Sequence, residues 1–108
     1  MNLQTRNAVK KMARHATLMT KQCGSPVGGC AYLNKEFNMC VFAALMPPDR
    51  LIVYAESPLP ADEVIYAEEG QEWIEGLDPK VMLEAQKIHD NYFNNRNELF
   101  EELLNEIL

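Results

Sequence analysis

Hydrophobic and polar positions follow two rhythms along this chain. Over residues 4–22, Thr5, Val9, Met12, Ala13, Ala16, Met19, Thr20 and Cys23 fall on one arc at about 100° per residue. Arg6, Lys10, Lys11, Arg14 and Lys21 fall opposite, with Leu18 the one large apolar residue among them. The spacing predicts a helix over 4–22, ended by Gly24 and Pro26.

The middle of the chain changes rhythm. Phe37 to Leu45 is almost wholly apolar, Met46-Pro47-Pro48-Asp49-Arg50 reads as a turn, and Leu51 to Glu56 is a second β-prone run. A hairpin is the expected structure over 37–56. Its first strand has apolar residues of both parities and so would be central and covered. Cys30 to Leu33 and Val64 to Ala67 read as further short strands, the latter an edge strand guarded by acidic flanks. The loop Gly24-Ser25-Pro26-Val27-Gly28-Gly29 leaves a helix and enters a strand, the reverse of a phosphate-binding loop, and reads as a connector.

Asp78-Pro79 is a helix start, with a carboxylate N-cap and proline at the first helical position. Val81, Ala85, Ile88, Tyr92, Leu99 and Leu103 make one stripe and Met82, Phe93, Phe100, Leu104 and Ile107 another. Their phase predicts one helix of roughly 45 Å at 1.5 Å per residue. Asn91, Asn94, Asn95 and Asn97 are poor helix formers, and Asn95 with Glu98 has capping-box spacing, so a break near Asn94 or Asn95 is the alternative. The expected fold is a single α+β domain over 1–108. A small antiparallel sheet of three to four strands is flanked by an N-terminal helix and a long, or broken, C-terminal helix.

Charge changes the picture more than composition does. Residues 1–35 carry six Lys or Arg and no acid; residues 36–108 carry four basic and sixteen acidic residues, for a net charge of −6. The three cysteines, an odd number, suit reduced thiols in the cytoplasm, which the lack of a signal-peptide pattern also suggests. No apolar stretch has the length of a membrane span.

Candidate chemistry is sparse. His15, Cys23, Cys30, Cys40 and His89 match no compact metal-ligand spacing, and no nucleophile elbow, dinucleotide fingerprint or metalloprotease motif is present, so no metal, cofactor or enzymatic activity is expected. The partner-binding candidates are Glu56, Asp62, Glu63, Glu68, Glu69, Glu72, Trp73 and Glu75, an acidic run around the only tryptophan. A tryptophan there can serve as an interface anchor or cap the core.

The expected function is therefore a non-enzymatic interaction protein that binds a basic, nucleic-acid-binding surface of a host protein. Its character is similar to small acidic phage or plasmid inhibitors that antagonise host defence, a broad class with no defining motif. Two alternatives stand beside it. One is a homodimeric assembly module using Tyr92, Phe93, Leu99, Phe100, Leu103, Leu104 and Ile107, because a long helix would overhang so small a domain. The other is a nucleic-acid binder using Arg6, Lys10, Lys11 and Arg14, which the acidic balance of the whole chain opposes.

Overall fold

The N-terminal helix has the arc that its periodicity predicts. In a computed structural model that describes residues 2–18, 32–33, 40–57, 59–91 and 93–105, helix α1 spans Leu3–Leu18. It buries Thr5, Ala8, Val9, Met12 and Ala16 and leaves Lys10, Lys11, Arg14 and Leu18 exposed. Asn2 opens it: the Asn2 Oδ1 accepts the Thr5 N–H at 2.8 Å, satisfying one of the orphan donors of the first turn. The expected residues 19–22 of this helix lie outside the described residues.

The expected sheet does not form among the described residues. Among the described residues every regular element is helical, and the fold is all-α rather than α+β. Among the described residues, pairing of strand type is limited to a single bridge position at Leu33. The Leu33 N–H donates to the Ala55 carbonyl and the Cys40 N–H to the Tyr32 carbonyl, both at 2.9 Å. The described part of the apolar run expected as a central strand forms a 3₁₀ turn at Phe42–Leu45. Val41, Phe42, Ala43 and Met46 are buried, so the run is covered as both apolar parities require, but as a tight turn rather than an extended strand. Residues 30–31 and 34–39, where the other strand positions fall, lie outside the described residues.

The expected second strand is helix α2, Pro48–Tyr54. Pro48 is preset to helical φ at the start, where its missing N–H costs nothing, and Asp49 sits in the first turn where the helix field favours a carboxylate. These starting signals outweigh the β-preference of Ile52 and Val53. The expected edge strand is helix α3, Ala61–Ala67, with Asp62 and Glu63 in its first turn. Ala61, Val64, Ile65 and Glu68 are buried at spacing i, i+3, i+4, i+7, a helical stripe whose last member is a carboxylate.

Helix α4 is Pro79–Asn91, and Asp78 caps it as expected: the Asp78 Oδ1 accepts the Lys80 N–H at 2.9 Å. The long C-terminal helix is broken. A 3₁₀ turn at Phe93–Asn95 separates α4 from α5, Arg96–Asn105. The asparagines that disfavour helix stand at the break, and Glu98 lies in the first turn of α5.

Because of that break α5 packs along α1, antiparallel to it. Two arginines tie the pair at opposite ends. The Arg96 Nε donates to the Ala16 carbonyl at 2.8 Å, near the C-terminus of α1. The Arg6 Nη1 donates to the Leu104 carbonyl at 3.2 Å, near the C-terminus of α5. Each cation meets orphan carbonyls at the negative end of the other helix, the favourable end for positive charge. The core lies between α1, α4, α5 and the Phe42–Leu45 turn, centred on Val9, Met12, Phe42, Met82, Ala85 and Phe100.

A clasp joins the chain start to the α4 entry. The buried Thr5 hydroxyl donates to the Gly76 carbonyl at 3.1 Å and accepts the Asp78 N–H at 2.9 Å, while the Asn2 side-chain amide donates to the same Gly76 carbonyl. Gly76 has φ +77°, a conformation that favours glycine, and a Cβ there would lie 3.1 Å from the Gln4 side chain.

Candidate interaction surface

The acidic run folds as α2, α3 and the turn Glu72–Ile74, all short elements. Helices of two turns are not stable alone in water. Here polar side chains hold them. The buried Gln86 of α4 accepts the Ala61 N–H on its Oε1 at 2.7 Å, capping α3, and donates its Nε2 to the Tyr32 hydroxyl at 3.3 Å. The Tyr32 hydroxyl in turn donates to the Leu59 carbonyl at 2.5 Å.

A second network closes the other end. Glu68, 4% exposed, accepts two bonds from Arg50, Nε to Oε1 at 2.5 Å and Nη2 to Oε2 at 2.8 Å. It also accepts the Tyr54 hydroxyl at 3.2 Å and the Trp73 Nε1–H at 3.3 Å. Such bidentate charge-assisted bonding favours the ionised carboxylate. Hydrogen bonding to Arg50 holds the Glu68 pKa below its ordinary value against the opposing effect of burial. The same bond to Glu68 raises the Arg50 pKa. The Arg50 guanidinium also lies 5.8 Å from the Tyr54 ring centre, within cation–π range.

The partner-binding candidates therefore divide. Glu68 is a buried internal strut. Trp73 is half-buried and packs on the core, its ring 5.8 Å from that of Phe42, which is 6.0 Å from that of Tyr32. Glu56, Glu63, Glu69, Glu72 and Glu75 are exposed and Asp62 is half-buried. Asp49 and Asp78 join this surface as exposed carboxylates. From Pro47 to Asp78 there are nine acidic residues and one basic residue, Arg50, and Glu68 already occupies that cation.

The candidates of the alternative readings are placed as follows. Lys10, Lys11 and Arg14 are exposed on α1 and none pairs with a carboxylate among the described residues, whereas Arg6 is half-buried on α5. Phe100 and Leu103 are buried in the chain's own core, with Leu99 and Leu104 packed against it. Among the described residues the helix breaks and α5 returns to α1 rather than overhanging the domain. Tyr92 and Ile107 and the side chain of Phe93 lie outside the described residues.

His89 is fully buried on α4. Burial first, then the charges of His15 on α1 and Arg96 on α5, lowers its pKa to about 4. The two histidines thus come within electrostatic range of each other and of the Arg96 guanidinium. Cys40 is a buried thiol in the segment before the Phe42–Leu45 turn rather than in a strand; Cys23 and Cys30 lie outside the described residues. Among the described residues no three His, Cys, Asp or Glu side chains gather as a metal ion requires. Nor is any described helix long and apolar enough to cross a membrane.

Sequence reasoning missed three side chains with structural roles. Gln86 and Arg96 are long polar residues on amphipathic helices, and nothing in their spacing distinguishes them from surface residues. Arg50 carries a signal: it is the only basic residue between Lys35 and Lys80, so a buried acid in that stretch has one local cation to pair with. Comparisons with protein-family models, with curated proteins and with solved structures yield no match.

Proposed function

We propose that this chain is a non-enzymatic interaction protein whose acidic half docks on a basic surface of a partner protein. The observation that supports this is the uncompensated charge of the run from Asp49 to Asp78: eight carboxylates reach the surface there, and the one cation of the run is bound by Glu68. Fixed negative charge on one part of a small protein steers a cationic partner over about 8 Å at physiological ionic strength and favours encounter more than residence. The partner class is a protein with a nucleic-acid-binding or otherwise cationic groove, and the action is competitive occupation of that groove.

The experiment is capture of partners on the immobilised chain at low and at high salt, followed by a competition assay with nucleic acid. The expected result is a partner retained at low salt, released at high salt and displaced by nucleic acid. A partner indifferent to salt, or none at low salt, contradicts the proposal. The exposed Lys10, Lys11 and Arg14 favour a second reading, nucleic-acid contact through α1. It predicts a mobility shift of nucleic acid that the triple change of those residues to Glu abolishes.

A further inference from the structure

Three of the five large hydrophobic side chains exposed on the described surface lie in the acidic half: Ile52, Val53 and Tyr66. Two of them are neighbours on α2. Ile52 is 77% and Val53 58% exposed. Both are β-branched, which disfavours helix, and neither is repaid by burial. The inward side of α2 is supplied by Tyr54, Leu51 and Arg50, so the core does not use the pair.

At 100° per residue, Asp49, Ile52 and Val53 occupy one arc of α2, and Glu56, two residues past the helix end and following the helical backbone of Ala55, continues the spacing i, i+3, i+4, i+7. All four are exposed. The apolar pair thus has a carboxylate one turn before it and one turn after it, and no cation on the same face. We propose that this face of α2 is a docking stripe for an amphipathic basic helix of a partner protein. The partner would place apolar side chains on Ile52 and Val53 and a lysine or arginine against each of Asp49 and Glu56. This inference rests on the reading of the acidic half as the binding half and names where and how it binds.

Charge complementarity selects that occupant. Anionic membranes and nucleic acid are repelled by the two carboxylates. A second copy of the chain fits poorly. Antiparallel pairing of two α2 helices sets Asp49 against the other copy's Glu56, and parallel pairing sets each acid against itself.

The test is titration of the isotopically labelled full chain, followed by amide NMR, with two probes. One is a synthetic amphipathic helix of leucine and lysine; the other is an oligolysine of equal charge. The expected result is that the leucine–lysine helix binds about tenfold or more tighter than oligolysine, with shifts centred on residues 48–56. The double variant I52S/V53S keeps the fold, since both side chains are exposed. It lowers affinity for the helix to about that for oligolysine and leaves oligolysine binding unchanged. D49K/E56K weakens both probes. Shifts centred on 62–78 or on α1, or equal binding of the helix by I52S/V53S and the parent chain, overturn the docking stripe. In that case salt-sensitive oligolysine binding still upholds the acidic half as the binding half. No binding of either probe at low salt overturns both.

Discussion

The two halves of this molecule close a helical core by opposite means. Helices α1, α4 and α5 are ten residues or longer and do it with apolar stripes. Their ends are capped by Asn2, Asp78, Arg6 and Arg96. The segment from Pro47 to Asp78 has two seven-residue helices held by side-chain bonds: Gln86 to Ala61, Tyr32 to Leu59, and Arg50, Tyr54 and Trp73 to Glu68. The first region turns lysines and arginines outward at α1 and keeps its large apolar residues inside except at the ends of α1. The second leaves Ile52, Val53 and Tyr66 in water among carboxylates. A surface that lowers helix propensity and concentrates like charge costs stability, so selection for folding alone does not account for it. The long helices thus commit their large apolar residues to the core, whereas the acidic half, which also adds Tyr54, Val64 and Ile65 to that core, leaves apolar side chains and like charges together in water.

The largest effect that separates the halves is core truncation. Phe100→Ala on α5 removes a side chain that is 1% exposed and should cost about 3–5 kcal/mol in denaturant unfolding. Tyr66→Ser on α3, 69% exposed, should stay within about 0.5 kcal/mol. Similar losses from both would break the comparison.

Acid is the next lever, and it acts through the scaffold. His89 is held at a pKa of about 4 against an ordinary 6.5. The unfolded chain therefore binds the extra proton first as pH falls. The contribution of neutral His89 is complete above about pH 6.5 and is lost progressively down to about pH 4, on the order of 3 kcal/mol. Urea unfolding across that range should show the slope, and His89→Leu should flatten it. Glu68, whose pKa is lowered by Arg50, adds a loss of stability only at lower pH, as pH falls below its ordinary value of 4.5 toward the folded one.

The most local effect is that of Glu68→Gln. It leaves Arg50 without its counter-charge and weakens the bonds from Tyr54 and Trp73. Amide hydrogen exchange should quicken in α2 and α3 while α1, α4 and α5 keep their protection. Uniform quickening would mean that the halves do not open separately.

Much of the scaffold is legible in the sequence. The arc of Thr5, Val9, Met12 and Ala16, the exposed Leu18 and the Asp78-Pro79 start all follow from period and cap chemistry. The sheet was misread for a physical reason. Leu51 to Ala55 is β-prone in composition, but Pro48 stands at the start of the helix, as Pro79 does in α4, and Asp49 adds a carboxylate to the first turn; the start decides a segment this short. In α3 the helical spacing of Ala61, Val64, Ile65 and Glu68 is hidden because its fourth member is an acid, and acids are read as surface. Which of the acids is buried was not legible at all. It depends on Arg50 and Tyr54 of α2 and Trp73 of the Glu72–Ile74 turn converging in space on Glu68. The break between α4 and α5 was visible in Asn94 and Asn95, but the return of α5 to α1 depends on Arg6 and Arg96, which local pattern does not register.

The central claim is that binding resides in the acidic half and not in the cationic helix. Two charge-reversed chains test it against the basic partner captured at low salt. D49K/E56K/E63K alters three exposed carboxylates of the acidic half; K10E/K11E/R14E alters three exposed cations of α1. The account predicts that the first variant loses about tenfold or more in affinity and most of its salt dependence, while the second binds as well as the parent or better. Loss of binding in the α1 variant with full binding by the acidic-half variant would contradict it.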